Sequence, residues 1–206
     1  MPRLLAPLRE RHPGLDVELV LSNENADLPG QEADIAIRMR RPRHGALVAQ
    51  RAGCIPLGFF APASYLERPG VPEGATDLAR HTLIGSDRSR MDQDFTRELQ
   101  KTLGEKLYFA LRTDSHPAQL AMVRAGLGIG VTQLPIGERD LVRVLPGLVV
   151  AELEAWIVAH EDLRHSRRID AAFGHLVAVL GRYCASGLVM QAAVGVGGRD
   201  AADGAG

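Results

Sequence analysis

The pattern of hydrophobic and polar positions is most complete between Leu107 and Pro135, where it predicts a strand, a helix and a second strand. Residues 107–111 are apolar or aromatic, which is typical of a buried strand. The polar residues 113–115 then offer N-cap side chains, and Pro117 suits a first helical turn. A helix is therefore expected to begin near residue 115 and to carry an apolar flank.

Three glycines follow this predicted helix. We expect Gly126 to end the helix in a left-handed turn, and we expect Gly128 and Gly130 to let neighbouring groups approach the second strand closely. The sequence here is G-L-G-I-G after a helix, whereas the dinucleotide-binding fingerprint is G-x-G-x-x-G before one. A nicotinamide site is therefore not expected.

A strand, helix and strand in this order predict an α/β sheet with parallel strands. Ligands of such sheets collect at the carboxyl ends of the strands, next to helix N-termini that attract anions. This rule places residues 112–115 at one rim of a candidate site, and Thr132 and Gln133 at the end of the next strand. The alternative is a purely structural role, because capped turns of this kind occur in most α/β domains.

The rest of the chain alternates between short predicted strands and helices. Helices are predicted at 2–12, 61–67, 77–80, 136–140 and 166–183, and strands at 17–22, 33–39, 47–51, 55–60, 82–86, 141–144 and 153–159. Residues 87–105 are polar without a clear apolar period, so no element is predicted there. Residues 195–206 are mostly Gly, Ala and Asp, a composition that predicts a disordered tail.

Composition and charge narrow the functional classes. The chain has 206 residues, with 24 Lys plus Arg against 25 Asp plus Glu, so nothing in its net charge of −1 favours nucleic acid or a membrane surface. The N-terminal residues lack the apolar stretch of a signal peptide, and no run of about 18 uncharged apolar residues suggests a membrane span. A cytoplasmic location is expected. Reduced thiols are favoured over a disulfide for Cys54 and Cys184.

Catalytic and metal-binding motifs are weak. The segment H-E-x-x-x-H from His160 to His165 is one residue too long for a zincin helix, and the sequence has no G-x-S-x-G elbow or P-loop. The basic loop 40–44 could hold an anion or simply be solvated. We expect neither an enzyme nor a resident metal or cofactor.

Several segments stand in the order that one protein family shows. They are LLAPLRERHPGLDVELVLSNENADL, EADIAIRM, LVAQRAGCIPLGFFAPASYLERPGVPEGATDLARHTLI, RTDSHPAQLAMVRAGLGIGVTQLP and AWIVAHEDLRHSRRIDAAFGHL. From Leu4 to Tyr183 the chain resembles the effector-binding, or substrate-binding, domain of LysR-type transcriptional regulators. The resemblance implies the type II periplasmic-binding-protein-like fold, in which two α/β lobes, each a central sheet flanked by helices, are joined by two crossover strands.

The resemblance also implies how the chain is divided and what it binds. Lobe one would hold residues 1–60 and 162–185, lobe two would hold residues 61–161, and a small effector would bind in the cleft between them. The segments that converge on the cleft in the resembled fold, and their neighbours, give the predicted ligand-binding residues Ser22, Asn23, Arg38, Thr113, Asp114, Thr132 and Gln133. Their hydroxyl and amide groups, with Arg38 or a following arginine as countercharge, favour a carboxylate or another polar metabolite. The carboxylate of Asp114 would repel an anion unless it caps the helix.

The chain departs from the family in two ways. The winged helix-turn-helix and linker helix of the family are not present before Leu4, and neither is the first strand of lobe one. We therefore expect either a start that lies upstream or a natural truncation, and no direct DNA binding by this chain. A stand-alone solute-binding protein of the same fold is the alternative function, although no signal peptide supports it. The leucine flank of the opening helix (Leu4, Leu5 and Leu8) and the apolar flank after Pro117 predict a homodimer.

Overall fold

The computed structural model describes residues 2–21, 33–42, 47–162 and 166–197. Its helices are α1 (Pro2–Arg11), α2 (Ala63–Leu66), α3 (Arg90–Leu103), α4 (His116–Arg124), α5 (Leu134–Gly137) and α6 (Arg167–Gly197), with a 3-10 helix at Ala75–Arg80. Its strands are β1 (Ile35–Arg38), β2 (Leu47–Ala61), β3 (Leu83–Gly85), β4 (Phe109–Arg112), β5 (Ile129–Gln133), β6 (Val142–Val144) and β7 (Ala151–His160).

The chain forms two compact units. Unit 1 comprises Met1–Ile55 and Leu153–Leu188, and unit 2 comprises Pro56–Glu152 and Val189–Gly206. The chain passes from one unit to the other within β2 and within β7, so these are the two crossover strands. The lobe boundaries predicted after residues 60 and 161 lie near the ends of the same strands and remain a prediction.

Unit 1 is a sheet in the order β1-β7-β2 with a helix packed on it. β1 runs antiparallel to β7, with Ile35 opposite Ala159 and Ile37 opposite Ile157. The core contains apolar side chains of β2 and β7, together with one flank of α6: Ile55, Ala155, Ile157, Ala159, Phe173, Leu176, Leu180 and Cys184. Ile35 and Ile37 of β1 pack against this core. The alternating residues of β1 and the helically spaced residues of α6, both visible in the sequence, therefore lie in one apolar layer.

Helix α6 is long and apolar enough, over Arg167–Val189, to pass a test for a membrane span by length and composition. Its buried residues Phe173, Leu176 and Leu180 lie at helical spacing and pack in the core of unit 1. A core helix of a globular unit meets the same test, and this packing identifies α6 as one.

Unit 2 contains the strand, helix, strand segment predicted between residues 107 and 135. β3 pairs in parallel with both β4 and β5, so α4 connects two strands that lie on either side of β3. β5 also pairs antiparallel with the second half of β2, and β6 pairs with the end of β2. The predicted α/β organisation of this segment is confirmed.

The glycines after α4 act as expected. Gly126 has a φ of 76°, the left-handed conformation that ends the helix. A Cβ on Gly128 would lie 2.3 Å from the carbonyl oxygen of Thr82, and one on Gly130 would lie 2.5 Å from Cγ2 of Val123. The close approaches to this strand therefore require residues without side chains.

Three predictions about elements were wrong. The strand predicted at 17–22 is absent over the described part, 17–21, where four apolar side chains are exposed and no ladder is formed. The two strands predicted at 47–51 and 55–60 are one strand, because the chain stays extended through Gly53, which has a φ of 150°. The last helix continues past residue 183 to Gly197, so 195–197 of the predicted tail are helical. The rest of that tail lies outside the described residues.

Helix α3 fills the stretch for which no element was predicted. Ser89 caps its N-terminus, and Gly104 ends it with a φ of 69°. The inward positions follow a helical period, but Asp92, Thr96 and Gln100 share them with apolar residues. Because half of that flank is polar, the helical period is invisible in the hydrophobic pattern.

Candidate functional site

The carboxyl ends of β3, β4 and β5 lie at one edge of the unit 2 sheet, because these three strands are parallel neighbours. In the ladder Gly85 lies opposite Arg112, so the residues that follow, Ser86 and Thr113, leave the sheet at the same level. Thr132 and Gln133 end β5 at this edge. Each of the three strands therefore ends in a polar side chain, as the sequence indicated for two of them.

Thr113 forms the turn that leads from β4 into α4. Its backbone N–H donates to the carbonyl of Gly85 at 3.0 Å, and its Oγ1 accepts from the N–H of Ser115 at 3.2 Å. Ser115 caps α4 through an Oγ that accepts from the N–H of Ala118. The hydroxyl of Thr113 is thus placed at the helix N-terminus by its own turn.

The carboxylate of Asp114 accepts hydrogen bonds from a neighbouring loop. Its Oδ1 accepts hydrogen bonds of 2.9–3.0 Å from the N–H groups of Asp87, Arg88 and Ser89, which form the loop before α3. The backbone N–H of Ser89 is the main cause that lowers the pKa of this carboxyl, against a smaller opposing effect of burial. Asp114 therefore ties the loop after β3 to the turn after β4.

A second set of polar groups connects the same two loops. The buried Gln119 donates through Nε2 to the carbonyl of Thr113 at 2.6 Å and to Oγ of Ser86 at 3.0 Å. Ser86 in turn donates to Oδ2 of Asp92 at 2.7 Å, and Nε2 of His116 lies 3.2 Å from the same oxygen. The polar edge, defined as Ser86, Asp92, Thr113, Asp114, His116 and Gln119, thus joins β3, α3, β4 and α4 by hydrogen bonds, with Asp114 connected through the loop at residues 87–89.

Asp92 and His116 shift each other's protonation. Burial would raise the pKa of Asp92, but hydrogen bonds from His116, Ser86 and Ser89 outweigh it and lower that pKa below its usual value. The hydrogen bond to Asp92 raises the pKa of His116, against an opposing effect of burial. The pair is therefore a carboxylate with an imidazolium between the lowered pKa of Asp92 and the raised pKa of His116.

Thr132 and Gln133 lie on opposite faces of β5. Thr132 is opposite Gly58 of β2 in the ladder, and Gln133 is opposite Leu57 and precedes α5. Both side chains are half-buried. Thr132 thus lies opposite a residue without a side chain, whereas Gln133 lies opposite a leucine.

The remaining predicted site residues belong to unit 1. Arg38 ends β1 opposite Trp156 on the face that does not carry Ile35 and Ile37, and it is half-buried. Ser22 and Asn23 lie outside the described residues.

No sequence pattern indicated Ser86, Asp92, His116 or Gln119 as site residues. Ser86 follows the apolar run of β3 as Thr113 follows β4, so the strand-end rule applied to residues 82–86 would have found it. Asp92 could not be found in this way because no helix was predicted around it. No group of His, Cys, Asp and Glu suited to a metal occurs in the described ranges.

Two open concavities lie in unit 2. One, of about 360 Å³, is bounded by α3 and the outer edge of β4 and includes Ser86, Asp92, Arg97 and Arg112. The other, of about 720 Å³, lies at the opposite ends of these strands, beside Thr82 and Gly126. The first is the one that adjoins the polar edge.

Comparison with known proteins identifies relatives among transcription regulators. A family model described as the LysR substrate binding domain matches residues 1–181. An uncharacterized HTH-type transcriptional regulator of Haemophilus influenzae is 27% identical over 161 residues, which are 75% of this chain and 56% of that protein. The HTH-type transcriptional activator AaeR of Escherichia coli is 34% identical over 81 residues, which are 39% of this chain and 26% of that protein. The chain thus spans about half the length of the first relative.

Solved structures resemble the fold over most of the chain. The regulatory domain of CrgA, a LysR-type transcriptional regulator from Neisseria meningitidis, has a TM-score of 0.72 at 20% identity and covers 87% of this chain and 91% of that one. The Synechocystis PCC6803 CcmR regulatory domain in complex with 2-PG has a TM-score of 0.66 at 19% identity, with coverages of 87% and 90%. The predicted type II periplasmic-binding-protein-like fold is confirmed.

Proposed function

The chain belongs to the LysR substrate binding domain family, and from that premise we propose that it binds a small carboxylate, or a similar polar metabolite, as the effector of a LysR-type transcriptional regulator. The observation that carries the proposal is the set of polar strand ends at one edge of the unit 2 sheet, beside the N-terminus of α4. Hydroxyl and amide donors with a helix N-terminus suit an anion.

The predicted residues take different parts in this proposal. Thr113, Thr132 and Gln133 act as donors to the effector. Asp114 acts as a positioning residue, because its Oδ1 already accepts three backbone hydrogen bonds and so does not face the effector as a bare charge. Ser22, Asn23 and Arg38 of unit 1 remain predicted contacts of the same effector.

A thermal-shift screen of carboxylates tests the proposal. A ligand present at about 100 times its dissociation constant, and bound only by the folded state, stabilises that state by about 2.7 kcal/mol. We expect at least one carboxylate to raise the Tm of the wild-type chain, and we expect the double variant Thr113→Ala, Gln133→Ala to lose that rise.

The matched control is Thr102→Ala, which removes an exposed threonine hydroxyl that donates within α3. This variant should keep the rise in Tm. A rise that persists undiminished in the double variant would place the effector elsewhere.

We also propose a cytoplasmic homodimer without enzymatic activity and without DNA binding of its own. The opening helix supports the dimer less than the sequence suggested, because Leu8 is buried and Leu5 packs against the core of unit 1. The side chain of Leu4 lies outside the described ones. The interface is therefore proposed on the flank of α4, where Leu120 and Met122 are half-buried, and sedimentation showing a monomer at tens of micromolar would contradict it.

A further inference from the structure

Arg143 is a buried cation whose hydrogen bonds are incomplete. It lies in β6 opposite Phe60 of β2, and its side chain is 7% exposed. Its only described polar contact is from Nη1 to Oε1 of Glu138, at 3.4 Å. Nε and Nη2 are inaccessible to solvent and have no hydrogen-bond partner among the described residues.

Such an arrangement is unfavourable unless an anion completes it. The guanidinium stays protonated in proteins, and a buried charge costs free energy unless it is paired and hydrogen-bonded. The contact with Glu138 does not do this, because it is longer than the 2.7–2.9 Å typical of a charge-assisted hydrogen bond and leaves two nitrogens unpaired. Arg143 therefore lacks one anionic partner.

The two unpaired nitrogens define the shape of that partner. Nε and Nη2 lie along one edge of the planar guanidinium group, so the N–H bonds on that edge run nearly parallel. Two parallel donors match the two oxygens of one carboxylate, which is the bidentate geometry that arginine forms most readily. A single acceptor atom, such as a carbonyl oxygen, would have to accept from both donors through bent, weaker hydrogen bonds.

The surroundings connect Arg143 with the predicted site. A Cβ on Gly58 would lie 3.4 Å from Nε of Arg143, so the guanidinium extends over a residue that has no side chain. Gly58 is opposite Thr132, and Phe60 is opposite both Arg143 and Gly130, so these side chains share one face of the sheet. Nε of Arg143 thus lies on the same face of the sheet as Thr132, beside the residue that pairs with Thr132.

We propose that Arg143 binds the carboxylate of the effector through Nε and Nη2, and so supplies the countercharge that the sequence analysis assigned to Arg38 or a following arginine. This inference rests on the proposed effector-binding function and specifies the chemistry of its site. Because the two nitrogens are closed to solvent and Leu134 lies close over Gly58, this binding requires a neighbouring side chain to move aside.

The test compares charged probes with uncharged ones of the same shape. Acetate and benzoate are titrated against the full chain, with acetamide and benzamide as their neutral counterparts, and binding is followed by Tm and by calorimetry. We expect a carboxylate to bind the wild type, its amide to bind at least ten-fold more weakly, and Arg143→Met to lose the carboxylate preference. Arg80→Met, which removes an exposed arginine that pairs with Asp77, is the matched control and should keep it.

Two further variants separate this role from a structural one. Arg143→Lys keeps the charge but not the parallel donors, so it should bind the carboxylate more weakly than the wild type. Glu138→Gln removes the competing carboxylate and should leave binding unchanged or tighten it. Without ligand, Arg143→Met should have a Tm equal to or above that of the wild type, because an incompletely paired buried charge is removed.

The outcomes are distinguishable. If Arg143→Met and Glu138→Gln both lower the Tm and carboxylate binding is unchanged, the pair is structural and this inference is overturned. If the double variant Thr113→Ala, Gln133→Ala loses a carboxylate that Arg143→Met still binds, the proposed function stands and only the role of Arg143 fails. If the wild type binds neutral amides as well as carboxylates, the carboxylate assignment itself is overturned.

Discussion

The core of unit 1 and the polar edge of unit 2 are stabilised in different ways. The core of unit 1 is an apolar cluster in which strand residues such as Ile157 pack against Phe173 and Leu180 of α6. The polar edge is a network of hydrogen bonds in which Asp114 accepts from several N–H groups of the loop at residues 87–89, and Gln119 donates to both Thr113 and Ser86. Burial of apolar area is non-directional, whereas each polar group of the edge needs a partner at a fixed distance.

This difference predicts how the two regions respond to substitution. An apolar core loses stability in proportion to the volume removed, because the neighbours collapse only in part. A polar network loses stability according to which donor or acceptor remains buried without a partner. Three measurements of stability test this contrast, given in order of decreasing expected effect.

The largest effect is expected in the core of unit 1. Phe173 is 2% exposed and lies in the middle of the apolar cluster, so Phe173→Ala should lower the free energy of unfolding by about 3–5 kcal/mol. Urea unfolding measures the change. Leu188→Ala on the same helix is the control, because Leu188 is 43% exposed and should cost less than about 1 kcal/mol. Equal losses in the two variants would contradict the assignment of this core.

An intermediate effect is expected at the polar edge. Gln119→Ala removes the donor of two hydrogen bonds and leaves the carbonyl of Thr113 and the hydroxyl of Ser86 short of a partner. We expect a loss of about 1–3 kcal/mol in urea unfolding. Gln93→Ala is the control, since that exposed side chain makes one hydrogen bond at the surface, and it should change stability by less than about 0.5 kcal/mol.

The same contrast explains what could be predicted from the sequence. The alternation of β1, the apolar flank of α6 and the glycines after α4 each leave a local pattern, so the elements around them were identified. The inward flank of α3 contains Thr96 together with Asp92 and Gln100, and the last two have partners only after folding, so no local pattern marks the helix.

As with the fold, the sequence predicted the part of the candidate site that follows from local patterns and strand order. Thr113, Thr132 and Gln133 were placed at strand ends by a topological rule that depends only on strand order. The contacts of Asp114 with the loop at residues 87–89, and the burial of Arg143 over Gly58, join segments that are far apart in sequence. Such contacts depend on register, which a single sequence does not specify.

The smallest effect is expected from the Asp92–His116 pair, and it depends on pH. The folded protein raises the pKa of His116 above its ordinary value of 6.5, chiefly through the hydrogen bond to Asp92. Stability from this shift is fully present below pH 6.5 and is lost as the pH rises through the raised pKa. The pKa of Asp92 is lowered below 3.8, so its contribution is present above pH 3.8 and is lost as the pH falls through the lowered value.

The pair should therefore stabilise the fold most between about pH 4 and pH 6.5. Because the side chain of His116 is 54% exposed, solvent screens the interaction, and we expect about 0.5 kcal/mol, as for ordinary surface pairs. The measurement is the free energy of unfolding in urea from pH 5 to pH 8.5 for the wild type and for His116→Gln. The difference between the two proteins should shrink as the pH rises, and this subtraction removes the titration of His81, whose pKa burial lowers. A difference that is constant across this range would show that His116 acts at the polar edge through packing and not through its charge.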